Sequence, residues 1–153
     1  MQPTEFYIPD LQSLPKVAQQ LIEALNGVRI VLLTGNLGAG KTTLTKAICQ
    51  QLGISKNQLS SPSFALVNEY QTTQNKLVYH IDLYRIKNLN EALDIGIETY
   101  LDSGNWCFIE WPQVISPILS GYNYVQLEMV PNLDQTRQVK LSYPVYPDVS
   151  VNT

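Results

Sequence analysis

Residues 29–44 read RIVLLTGNLGAGKTTL, and the architecture follows from the order of residue types in this run. Ile30 to Leu33 are four consecutive aliphatic residues between Gly27 and Gly35, the composition of a strand buried on both faces. From Gly35 the chain runs glycine, four residues, glycine, lysine and threonine, the spacing of a loop whose backbone amides close around phosphate groups. Beyond it Leu44, Ala47, Ile48 and Leu52 recur at helical spacing until Gly53. Strand, glycine loop and helix thus follow in the order that a phosphate cradle requires, and the ligand it fits is a nucleoside triphosphate.

Each loop residue has an expected task. Gly35, Gly38 and Gly40 let the backbone turn tightly, and with Asn36, Leu37 and Ala39 they line the cradle at the positive end of the following helix. Lys41 is expected to reach the β- and γ-phosphates and the Thr42 hydroxyl to bind magnesium. Such a site also needs an acid at the end of a buried strand. Two are present: Asp82 closes LVYHID and Glu110 closes WCFIE. Asp82 is placed to orient metal-bound water, and Glu110 to hold the metal or polarise the attacking water. Either acid alone also fits an ordinary strand-end charge.

Other residues admit two readings. Arg85, beside Asp82, is either an internal arginine finger or a surface ion pair. Trp111 either shapes a nucleotide or partner surface or is simply half-buried. His80 is expected to pack in its strand with its side chain satisfied, because no partner for a general base is evident in the sequence. The turn SSPSF, Ser60 to Phe64, is an ordinary turn or a loop that senses the γ-phosphate.

Working outward, Leu14, Val17, Ala18, Leu21, Ile22 and Leu25 mark one face of a helix from Leu14 to Leu25, with Ser13 as N-cap and Gly27 as stop. Phe64–Tyr70 and Lys76–Tyr84 flank a polar turn as an antiparallel pair, a short helix follows around Asn90–Ile95, and Trp106–Trp111 is a compact strand. YVQLEMV and RQVKLSY, around PNLDQ, read as a second hairpin. The expected fold class is α/β: a P-loop NTPase-like mixed sheet with parallel core strands, antiparallel additions and flanking helices. Residues 1–143 form one domain in this reading and 144–153 a tail.

The chain has 153 residues, 44% of them hydrophobic, the size of one domain with a single sizeable core. Ten Lys and Arg against 13 Asp and Glu leave a net charge of −3, the wrong sign for gripping nucleic acid unaided. Cys49 and Cys107, with one histidine, suggest neither a disulfide framework nor a zinc site; they read as buried thiols of an intracellular protein. No leader peptide and no apolar run of membrane-spanning length is evident, so a cytoplasmic location is expected.

Five pieces stand in order: TGNLGAGKTT, SPSF, HIDLYR, ALDIGIETY and FIEWP. Together they resemble the TsaE (YjeE) family, bacterial P-loop ATPases needed for threonylcarbamoyladenosine in tRNA, over about Gly27–Pro112. The resemblance implies ATP and Mg2+ as ligands, with Lys41 on phosphate, Thr42 on magnesium and Thr43 near the nucleotide. Asp82 and Glu110 become the acids of the metal and water site, with Trp111 close by. The family usually has threonine at Ser63 and often an acid at Gln113. It further implies that the chain acts on a TsaD–TsaB pair and meets tRNA only through that complex, TsaD making the transfer. Two rival readings are a small-molecule kinase, which lacks its arginine-rich lid here, and a regulator that binds nucleotide without hydrolysing it.

Overall fold

The apolar run before the glycine loop becomes the middle of a sheet. The structure, a computed structural model, describes residues 4–60 and 65–144. Its strands are β1 (Thr4–Ile8), β2 (Ile30–Thr34), β3 (Val67–Gln71), β4 (Leu77–Asp82), β5 (Trp106–Glu110), β6 (Tyr124–Pro131) and β7 (Arg137–Ser142). Its helices are α1 (Leu14–Leu25), α2 (Lys41–Gln51), α3 (Lys56–Ser60), α4 (Leu89–Asp94) and α5 (Ile97–Asp102). The strands form one sheet in the order β1-β7-β6-β2-β5-β4-β3. β2 runs parallel to β5 and β6, and β4 parallel to β5, while β3, β7 and β1 are added antiparallel. This is the expected mixed sheet.

Helices cover both faces, which is why Ile30–Leu33 are all buried. Val31, Leu33, Val78 and Phe108 face α1 and α2, meeting Leu21, Leu25, Leu44 and Ile48. Ile30, Leu32, Ile81, Cys107 and Ile109 face the other way, against Ala92, Ile97, Leu101 and Ile115. Each fully buried aliphatic side chain contributes about 1.5–3 kcal/mol. Both cysteines are free and buried, and burial pushes each thiol up to about 12, which keeps them inert.

Several local expectations need correction. Ser13 stands at the N-cap of α1 but its side chain does not cap it. A 3-10 turn, Leu11–Ser13, precedes the helix, and there the Asp10 carboxylate accepts the Ser13 N–H at 2.9 Å while the Ser13 hydroxyl donates back to the Asp10 carbonyl. The helix expected around Asn90–Ile95 is followed at once by α5, because Gly96 adopts φ 81 and turns the chain. Pro112–Gly121 forms a 3-10 segment not foreseen, in which Pro117 supplies no amide for an α-helical ladder. The 61–64 part of the SSPSF turn, with Ser63, and residues 145–153 of the expected tail lie outside the described residues.

Candidate functional site

The loop leaves β2 at Thr34 and returns as α2 at Lys41. Gly35 has φ +140, and a Cβ there would stand 2.8 Å from the Met129 carbonyl of β6, so only glycine fits. Gly40 has φ +103 and no side chain caps α2, which leaves its first amides to an anionic ligand or water. Arg137, the first residue of β7, donates from Nε to the Ala39 carbonyl at 2.8 Å and ties the far hairpin to the loop.

Lys41 is 4% exposed. Its Nζ donates to the Gly35 carbonyl at 2.7 Å and lies 3.5 Å from the Trp111 ring centroid. Burial lowers the pKa of its ammonium, against the opposing pull of Glu110 and then Asp82. Trp111 takes a left-handed conformation (φ 56) directly after β5, and the Tyr84 ring lies 5.1 Å from its ring.

Glu110 is also 4% exposed. The Thr42 hydroxyl contacts its two carboxylate oxygens at 3.0 and 2.9 Å, and His80 Nε2 lies 2.5 Å from Oε2. Burial pushes this carboxyl up, but His80, Thr42 and Lys41 together outweigh it and hold the group below its ordinary value. Glu110 is therefore ionised and only accepts, which requires that His80 Nε2 carry the proton. Asp82 is its register neighbour on β4 but is exposed, and one of its oxygens accepts the Tyr84 N–H at 3.0 Å.

A cavity of about 670 Å³ opens above the loop. One wall holds Leu37, Gly38, Gly40, Lys41, Thr42, Thr43, Asp82, Glu110 and Trp111, all anticipated from sequence, together with Tyr84. The other wall comes from the N-terminal segment and the β6–β7 hairpin: Ile8, Asp10, Leu11, Met129, Asp134, Gln135 and Arg137. Gly35, Asn36 and Ala39 shape the loop from beneath without lining the cavity: the Asn36 carbonyl accepts the Ala39 N–H, and Ala39 is buried. Arg85 is exposed and does not line the cavity; the arginine that reaches the loop is Arg137. Sequence reasoning missed Arg137 because no motif surrounds it, and its placement depends on strand order alone. It also missed what His80 does: the side chain is satisfied as expected, but its partner is the acid of the site.

The oxygen donors Thr42 and Glu110 suit magnesium, a hard cation that keeps most of its waters and takes one or two protein ligands beside phosphate oxygens. Among the described residues no group of three or more His, Cys, Asp or Glu side chains is placed to hold a metal by itself.

Sheet order, glycine loop and strand-end acids define a P-loop NTPase-like α/β protein. The family model "Threonylcarbamoyl adenosine biosynthesis protein TsaE" matches residues 8–139, a span that includes both cavity walls, and the chain belongs to the TsaE family. It is 38% identical over 112 residues to the "tRNA threonylcarbamoyladenosine biosynthesis protein TsaE" of Haemophilus influenzae, covering 70% of each chain. The protein of the same description from Rickettsia felis is 39% identical over 69% of this chain and 60% of its own length. That from Aquifex aeolicus is 43% identical over 53% of this chain and 61% of its own. The crystal structure of Bacillus subtilis YdiB superposes with a TM-score of 0.70 over 93% of this chain and 86% of that one, at 23% identity, a likeness of fold.

Proposed function

We propose that this chain binds ATP with magnesium, hydrolyses it slowly by itself, and serves tRNA threonylcarbamoyladenosine synthesis in the cytoplasm by acting on a TsaD–TsaB complex. The observation that carries the proposal is the Thr42 hydroxyl on the ionised Glu110 carboxylate, at 2.9–3.0 Å, where α2 opens onto the cavity. The uncapped amides of α2 and the Lys41 ammonium bind phosphate oxygens, Lys41 exchanging the Gly35 carbonyl and the Trp111 face for them. Magnesium, when bound, supplies charge neutralisation at the β- and γ-phosphates. With magnesium bound, the Thr42 hydroxyl would offer its oxygen to the metal and leave Glu110. Glu110, freed on that side, accepts a hydrogen bond from the attacking water and aligns it, while Asp82 orients water at the solvent side.

Stabilising charge at the γ-phosphate is scarce. Arg137 is the one arginine among the cavity-lining residues described, and its Nε is engaged by Ala39. An added cationic group is worth about a thousandfold or more in phosphoryl transfer, so the partner complex is expected to accelerate turnover. The acidic charge of −3 agrees with contact to tRNA only through that complex. Phosphate release measured with and without TsaD–TsaB, together with threonylcarbamoyladenosine in tRNA digests of depleted cells, tests the proposal. Stimulated release and a lowered nucleoside level are expected. Partner-independent release with undiminished nucleoside overturns it.

A further inference from the structure

We propose that His80 is a positioning residue that selects which oxygen of Glu110 is offered to the water and metal side of the site; this rests on the ATPase reading above. Val78, His80 and Asp82 on β4 share a sheet face with Trp106, Phe108 and Glu110 on β5, because paired residues of parallel strands point the same way. His80 pairs with Phe108, one step along that face below Glu110, and is 5% exposed. Its backbone is held between Asn68 of β3 and Phe108 of β5. From this fixed base Nε2 reaches Oε2 at 2.5 Å.

The two carboxylate oxygens are not equivalent. The Thr42 hydroxyl has one proton to share between Oε1 and Oε2, whereas the His80 N–H goes to Oε2 alone. When Thr42 turns away, Oε1 loses its partner and Oε2 keeps one. His80 thus leaves Oε1 as the accepting atom and holds its direction, since a carboxylate anchored at one oxygen no longer spins about its last torsion. A histidine that only filled space would need neither the bond nor this nitrogen.

Glutamine in place of histidine puts an N–H the same number of bonds from the backbone as Nε2, whereas asparagine falls one short. The experiment measures ATP affinity by calorimetry with and without Mg2+, and single-turnover hydrolysis with the partner complex, for wild type, His80→Gln, His80→Asn and His80→Leu. Asn and Leu are expected to lose about 10–100-fold in the magnesium-dependent gain of affinity or in turnover, with magnesium-free ATP affinity retained. Gln is expected to recover most of that loss. Equal behaviour of Gln and Asn, or wild-type values for Leu, overturns the inference. If Leu does not fold, as read by thermal unfolding, the Gln and Asn pair decides. A wild type that binds Mg2+ with ATP but never hydrolyses sinks the ATPase reading, and the affinity measurement still decides the role of His80.

Discussion

The cavity has two walls of different character. The phosphate wall, from Leu37–Thr43 and the ends of β4 and β5, is assembled from contiguous motifs and holds buried charge: Lys41 and Glu110 are each 4% exposed. The hairpin wall, from Ile8–Leu14 and β6–β7, comes from distant parts of the chain; its buried members, Ile8, Leu14 and Met129, are apolar, and its carboxylates, Asp10 and Asp134, are exposed. One wall has its chemistry fixed by burial and hydrogen bonds; the other joins it through the β2–β6 ladder, with Arg137 on Ala39 and Gly35 against Met129 at the loop. For the ATPase proposed above, this contrast predicts that substitutions on the two walls act differently, those at Glu110 on turnover and those at Arg137 on the shape of the loop that holds ATP.

The strongest way to break that contrast is Glu110→Gln. Loss of the anionic acceptor is expected to cut turnover about 100–1,000-fold, with ATP binding still measurable by calorimetry; loss of ATP binding as well would mean that Glu110 holds the nucleotide itself and not only the attacking water. A middle-sized effect is expected on the other side. Arg137→Ala removes a charge-assisted hydrogen bond to the loop carbonyl and should weaken ATP binding about tenfold, and Arg137→Lys should not restore it, since the lysine lacks the Nε donor geometry. Wild-type affinity in Arg137→Ala would reduce the hairpin wall to a passive cover.

The smallest effect concerns acid stability. Burial raises the Glu110 pKa, but its His80, Thr42 and Lys41 partners win and the folded pKa lies below the ordinary 4.5. A group depressed in this way stabilises the fold above its unfolded pKa, and that stabilisation is lost as pH falls below about 4.5 through the folded pKa. Asp134 on the hairpin wall is likewise lowered, by its Thr136 contacts, but it is fully exposed and screened. Thermal unfolding followed against pH should therefore flatten on its acid limb in Glu110→Gln and change little in Asp134→Asn.

Much of the fold was legible in the sequence. Helix α1 runs over the expected Leu14–Leu25, because a strong 3.6-residue pattern writes burial directly into spacing. The two antiparallel pairs and the strand–loop–helix unit also follow from local pattern and turn residues. No local pattern marks Thr4–Ile8 as a strand, since β1 is set by pairing with β7, more than a hundred residues away in the chain. The site divides in the same manner. Lys41, Thr42, Asp82 and Glu110, all named from sequence, line one cavity, while Arg137, Tyr84 and the His80 contact were not visible, being matters of register and strand order.

Local pattern alone placed the glycine loop between a strand and a helix and put two acids at strand ends, because glycine spacing and strand ends are local and leave few conformations open. Only the tertiary structure decided which arginine serves the loop, that Trp111 folds back over Lys41, and that one histidine holds one oxygen of Glu110. Those contacts join residues 30 to 98 positions apart, whose approach depends on how the strands align and on a single left-handed residue after β5.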